Sequence, residues 1–265
     1  MEQTSERHVT TVSTGSKNPL AAAEAADKKR KLAIQVGVAA VLVALVAAIG
    51  IGIAMNRSDS DTSTGSGTTG AEGLPTLPAT VGSVTPSGSV LIGNPDAKVK
   101  VRVVADLQCP ACKQFETANG LALAKAAAEG TASVEYQIIS FLDKASTNQY
   151  SSRAGNAAYC VARSDANKFP NWLQLMFHRQ PAEGGAGLSN EQLVAIANET
   201  GYTDPAVATC INDKAMVDPL TKTTQTLLTS GLKGTPSVFV DGELIESNAV
   251  YTEDGLASVI ADAAK

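Results

Sequence analysis

The residues of this chain best placed to do covalent chemistry are two cysteines in the run Asp106-Leu107-Gln108-Cys109-Pro110-Ala111-Cys112. A thiolate is both a nucleophile and a metal ligand, so a C-x-x-C pair suits thiol–disulfide exchange or half of a zinc site. A structural zinc site needs four Cys or His ligands at close spacing. The other cysteines, Cys160 and Cys210, are isolated in the sequence, and the histidines are His8 and His178. Exchange chemistry is therefore the stronger reading. Placement supports it: a strand pattern runs into the motif and a helix pattern leaves it, which sets Cys109 at a helix N-terminus. Unpaired backbone N–H groups and the macrodipole favour a thiolate there. Cys109 is expected to be the exposed nucleophile, with a pKa below the free value of about 8.5. Cys112, one turn in and less accessible, is expected to resolve the mixed disulfide. An inert local disulfide is the alternative, and the helix-start position argues against it. Pro110 suits the first helical turn, where it costs no hydrogen bond.

The elements that must position this pair follow from periodicity. Val99–Ala105 is nearly continuous in apolar residues along one side and is expected to be a central, buried strand. A helix is expected from Pro110 to about Gly130, with Gly120 a weak point where it could kink. Val134–Phe141 reads as a second strand. Helical patterns follow over Ala154–Arg163, Asn171–His178, Asn190–Thr200, Pro205–Asp213 and Asp218–Ser230. Ser189-Asn190-Glu191-Gln192 has the form of a capping box. Pro236–Val240 is strand-like, Asp241-Gly242 is a favoured hairpin turn with Leu244 opening the return strand, and Thr252–Ala264 is an amphipathic helix. Two parallel strands joined through a helix, a helical block, a hairpin and a closing helix describe an α/β thioredoxin fold with a helical insertion at about 146–230.

At this point the chain resembles a known family. Asp106-x-x-Cys109-Pro110-Ala111-Cys112 and the downstream run Gly234-Thr235-Pro236-Ser237-Val238-Phe239-Val240-Asp241-Gly242 look like the two halves of a DsbA-like thiol–disulfide oxidoreductase site. The resemblance, strongest to membrane-anchored members from actinobacteria and other Gram-positive bacteria, covers about Val90 to the C-terminus. It implies that Pro236 follows a cis bond and packs against the cysteines, and that the backbone of Thr235 pairs with the substrate chain. A trans proline at an ordinary strand start is the alternative. Catalysis would rest on Cys109 and Cys112, supported by Pro110, Ala111, Thr235, Pro236 and Asp106, with no cofactor and no metal. The sequence departs from the family in two ways. Pro-Ala stands between the cysteines where strongly oxidising members carry a histidine, which places the site between thioredoxin at about −270 mV and DsbA at about −120 mV. Val103 stands where thioredoxins bury an acid. Asp106 is a candidate replacement, though solvated helix capping is an equal expectation for it, and for Glu116 an ordinary surface place on the helix is equally an expectation.

Cys160 and Cys210 complete an even count, which suits an oxidising compartment. They are expected to form a structural disulfide in the insertion. A second redox pair is the alternative, without an activating context at either cysteine. Trp172, Met176 and Phe177, with Leu173 and Leu175, read as core or rim packing, part of which could face unfolded substrate. His178 reads as structural or solvated.

The first third of the chain differs in composition. Residues 1–31 hold six basic against four acidic residues, and the rest hold fifteen against twenty-two. So acidic a remainder lacks the basic face nucleic acid requires. Residues 1–31 read as a disordered cytoplasmic tail. Leu32–Met55, 24 residues without a charge, is long enough to span a membrane, and the basic run Lys28-Lys29-Arg30-Lys31 would stay inside. A cleaved signal peptide is the alternative, but the apolar run is longer than such cores. No cysteine follows it to carry a lipid. Residues 56–89, rich in Ser, Thr, Gly and Pro, read as a flexible linker, and 90–265 as the catalytic domain. The leading expectation is a single-pass membrane protein with its domain outside the cell membrane. It would introduce disulfides into unfolded exported proteins with free thiols. A quinone-linked membrane partner, DsbB-like or similar to vitamin K epoxide reductase, would reoxidise it. A reductase or isomerase of the same fold, or a non-catalytic binding or chaperone module, are the alternatives. The Ala-rich composition fits a high-GC bacterium.

Overall fold

A computed structural model describes residues 73–265. The expected cytoplasmic tail, the membrane-spanning segment at 32–55 and the first part of the linker lie outside these residues. Among the described residues, no helix is long and apolar enough to cross a membrane.

Strand β3 (Val99–Ala105) sits within a six-stranded sheet whose order is β1 (Gly82–Val84), β2 (Val90–Ile92), β4 (Ala132–Ile138), β3, β5 (Ser237–Val240) and β6 (Glu243–Leu244). Its neighbours are β4 (Ala132–Ile138), parallel, and β5 (Ser237–Val240), antiparallel. Val99, Val101, Val103 and Ala105 are all buried, as a strand with partners on both sides requires. The parallel β3–β4 pair needs a crossover, and helix α1 (Pro110–Ala128) supplies it. The helix runs unbroken through Gly120. On the far side of β5, Asp241 and Gly242 both take positive φ (50° and 89°) and turn the chain into β6 (Glu243–Leu244). That is the requirement of a two-residue hairpin, which Asp-Gly meets at little steric cost. Asp241 also ties back to β3, accepting from the Lys100 N–H through its carboxylate at 2.8 Å and donating its own N–H to the Lys100 carbonyl at 2.8 Å.

The insertion between β4 and β5 holds α2 (Tyr150–Ser164), α3 (Phe169–His178), α4 (Asn190–Glu199), α5 (Pro205–Asn212) and α6 (Val217–Thr229). The Ser189–Gln192 capping box forms in both directions, at 3.3 and 2.8 Å. Asp204 caps α5 ahead of Pro205. Two bonds fix the insertion to the sheet end of the molecule: the Tyr159 hydroxyl donates to the Ile138 carbonyl at 2.7 Å, and Thr224 Oγ1 accepts from the Ser140 N–H at 3.0 Å. Helix α3 packs on α1, and α7 (Gly255–Ala263) packs on the same helix. Trp172, Met176 and Phe177 are all buried, so this cluster is core and offers no face to substrate.

The folded domain begins earlier than composition suggests. Residues 82–84, within the stretch read as linker, form strand β1 (Gly82–Val84), paired with β2 (Val90–Ile92). Gly82 fits here because a Cβ would lie 2.3 Å from the Ala166 carbonyl oxygen. Upstream, Leu77 is buried and the Pro75 carbonyl accepts from Gln174 Nε2 on α3. Three-residue strands joined through Pro, Ser and Gly carry too little period to stand out from a linker.

Candidate active site

Cys109 is the N-cap of α1, with extended backbone (φ −72°, ψ 119°) and Pro110 following in the first turn. Its N–H closes a turn onto the Asp106 carbonyl at 3.0 Å, and its carbonyl accepts from the N–H groups of Cys112 and Lys113 at 3.1 and 3.2 Å. The segment 234–236 lies directly against it. The Thr235–Pro236 bond is cis, and Cys109 Sγ donates to the Thr235 carbonyl at 3.3 Å. Ser237 Oγ donates back to Gly234 at 2.8 Å and pins that loop. Residues 126 positions apart in sequence are thus in contact. Both cysteines are free thiols here.

Burial separates the two sulfurs, though not as the sequence suggested. Cys109 is 7% exposed rather than open to solvent, because the Thr235 loop lies over it; Cys112 is completely covered. Among the described residues, what exposure the pair has lies at Cys109. Their acidities diverge sharply. Cys109 is pulled down to about 6, first by the hydrogen bond from the Cys112 thiol, against the cost of burial, with help from Thr235 and the Cys112 and Ala111 N–H groups. The Thr235 hydroxyl, buried and without a hydrogen-bond partner, adds to this lowering. Burial, and then the neighbouring Cys109, push the Cys112 thiol well up. One sulfur favours the thiolate near neutral pH in a barely exposed residue, and the other is a sealed thiol.

Asp106 is not a solvated helix cap. It is wholly buried, and its carboxylate accepts from the Gln108 N–H (2.8 Å), the Leu142 N–H (2.7 Å) and Ser151 Oγ (2.8 Å). Burial raises its pKa to about 6 despite these bonds. It therefore binds the active-site turn to the start of the insertion. Glu116 departs further from expectation. It is 6% exposed, without an ion-pair partner among the described residues, and burial raises its pKa to about 8. Its carboxylate lies over Gly120, where a Cβ would come within 2.6 Å of Oε1. Gly120 is thus the space that Glu116 occupies. A cavity of about 110 Å³ beside it is lined by Lys113, Gln174, Phe177 and His178, with Leu74 and Pro75 of the lead-in segment.

Two residues that sequence reasoning did not single out also belong to the site. Gln180 reaches the turn from the loop after α3. Tyr251, 38% exposed, stands close enough that charge on Cys112 and Cys109 adds to burial in raising its pKa. Neither lies in a motif, and only the folding of distant segments brings them here. Cys160 and Cys210, in α2 and α5, form a disulfide with Cα atoms 5.8 Å apart.

A family description, Thioredoxin, matches residues 85–261, most of the chain. The chain belongs to the thioredoxin family. Within that family it is DsbA-like. The reduced DsbA of Mycobacterium tuberculosis is 30% identical, covering 70% of this chain and 100% of that one, with a TM-score of 0.54. The reduced disulfide bond oxidoreductase DsbG of the same organism is also 30% identical, covering 69% and 86%, with a TM-score of 0.57. Among curated proteins, the serine/threonine-protein kinase PknE of M. tuberculosis H37Rv is 29% identical over 164 residues, 59% of this chain. The chain spans only 29% of that kinase's length.

Proposed function

We propose that this thioredoxin-family protein is a membrane-tethered thiol:disulfide oxidoreductase that introduces disulfides into exported proteins. The observation that carries this reading is the pairing of a low-pKa, marginally accessible Cys109 with a sealed, high-pKa Cys112 against the Thr235–Pro236 turn. In the oxidised protein, a substrate thiolate attacks Cys109 Sγ. The Cys109–Cys112 bond breaks and Cys112 leaves as a thiolate that takes up a proton. A second substrate thiolate then attacks the substrate sulfur of the mixed disulfide, forming the substrate disulfide and releasing Cys109 as a thiolate. Two electrons pass from the substrate dithiol to the cysteine pair. A fold that stabilises the released thiolate makes it a good leaving group, which favours donating a disulfide over reducing one.

The uncharged run Leu32–Met55 and its basic flank support an anchor with the domain outside. The Cys160–Cys210 disulfide fits the same oxidising compartment. Continued turnover needs an oxidant, and a quinone-linked membrane protein of the DsbB or vitamin K epoxide reductase kind would fill that part. The test is oxidation of reduced, unfolded ribonuclease by the oxidised protein, followed by recovery of nuclease activity. Stoichiometric disulfide transfer that disappears in Cys109→Ser is the expected result. No transfer by the intact pair would defeat the reading, and faster reduction of disulfides than oxidation of thiols would turn it into a reductase.

A further inference from the structure

The turn that presents Cys109 is held from a second side by Gln180. Its Nε2 donates to two carbonyls at once, those of Leu107 at 2.9 Å and Cys109 at 3.0 Å. A side-chain amide has two N–H bonds to give, and here both go to the same turn. The Cys109 carbonyl is also the one that receives the first N–H bonds of α1. Gln180 is itself firmly placed. Its N–H donates to the Phe177 carbonyl at 3.2 Å, and the adjoining His178 carbonyl accepts Lys113 Nζ at 3.2 Å. Arg179 grips Glu199 through two bonds of 3.0 and 2.7 Å.

We propose that Gln180 is a positioning residue that holds Cys109 in the geometry from which its sulfur reacts. The proposal rests on the reading of Cys109 as the reacting sulfur. The groups that favour the Cys109 thiolate, the Cys112 thiol and the N–H groups of Ala111 and Cys112, are directional donors. Their effect falls steeply once the donor angle departs from linear. Those angles follow from the tilt of the first helical turn, and the tilt follows from the carbonyls where that turn begins. The bond from the Cys109 N–H to Asp106 fixes one side of the turn; the Gln180 amide fixes the other. Without it, the Leu107 and Cys109 carbonyls each lose a donor and the turn is free to rock about its Asp106 side.

The test uses the full chain, purified in mild detergent and reduced, as wild type, Gln180→Leu and Gln180→Asn. Asparagine keeps the amide but is one methylene too short to reach both carbonyls. Three quantities are measured: thiolate absorbance against pH, the alkylation rate of Cys109 by iodoacetamide, and the equilibrium constant with glutathione. Both variants should alkylate about three- to tenfold more slowly than wild type near pH 5, where the thiolate fraction limits the rate, and equally fast near pH 9. The glutathione equilibrium should move toward the protein disulfide by a similar factor. Variants that lose thermal stability yet titrate and equilibrate like wild type would assign Gln180 to packing alone and overturn the proposal. If the leucine variant fails to fold, the asparagine variant decides; if neither folds, Gln180 serves the fold and the proposal is lost. A wild-type Cys109 that titrates at the free-cysteine value would instead defeat the reading of Cys109 itself.

Discussion

Cys109 and Cys112 are neighbours on one helical turn: the Cys112 thiol lowers the Cys109 pKa, and Cys109 adds to burial in raising that of Cys112. The Cys112 thiol is the largest influence lowering the Cys109 pKa, so Cys112→Ala should raise the Cys109 midpoint above about 6 and slow alkylation near pH 6 severalfold. A midpoint that stays in place would show that Thr235 and the backbone N–H groups suffice alone. Glu116 gives a prediction of opposite sign. Folded Glu116 keeps its proton to about pH 8, whereas an unfolded glutamate loses it near 4.5. Between those values the folded state binds more protons, so this residue makes stability fall as pH rises. Glu116→Gln removes that dependence. Near pH 8 it should be more stable than the parent by about 2–4 kcal/mol, and near pH 4 indistinguishable, by denaturant titration. Equal curves for both proteins at pH 8 would mean that Glu116 is hydrated in solution.

Among the elements, those with local signatures could be read from sequence. The β3 run, the Pro110 helix start, the Ser189–Gln192 box and the Asp241-Gly242 hairpin each announce themselves within a few residues, because backbone preference alone decides them. The burial of Asp106 and Glu116, and the reach of Gln180 onto the active-site turn, could not be read this way. All three are polar, and only the arrival of distant segments sets their surroundings. Gly120 looked like a weak point because its purpose, space for a carboxylate, belongs to a residue one turn earlier. The insertion brings its own test. The Cys160–Cys210 link closes a loop of 50 residues across α2 and α5, and loop entropy sets its worth at no more than about 4 kcal/mol. Cys160→Ser with Cys210→Ser should lower stability by about 2–4 kcal/mol while leaving the Cys109 titration unchanged. A shifted Cys109 midpoint would reveal that this disulfide also shapes the site.

For the molecule as a whole, redox state and fold stability are linked through Cys109. Its folded pKa is depressed, so the stabilisation it brings is complete above the unfolded value of about 8.5 and is lost as pH falls through about 6. The reduced protein should therefore gain on the oxidised one as pH rises from 6 to 9. Paired denaturant curves at several pH values would check this, and a reduced-minus-oxidised stability that falls with rising pH would contradict it. The early start of the domain bears on how the protein is cut. A polypeptide trimmed to begin at Val90 would shed β1, the buried Leu77, and the Leu74 and Pro75 that line the cavity beside Glu116. The outer rim of β2 would then carry bare N–H and C=O groups, a template on which a second chain can stack. What comes off such a preparation would be clumped material, and its poor behaviour would be charged to the cysteines when the fault lay with a missing three-residue strand.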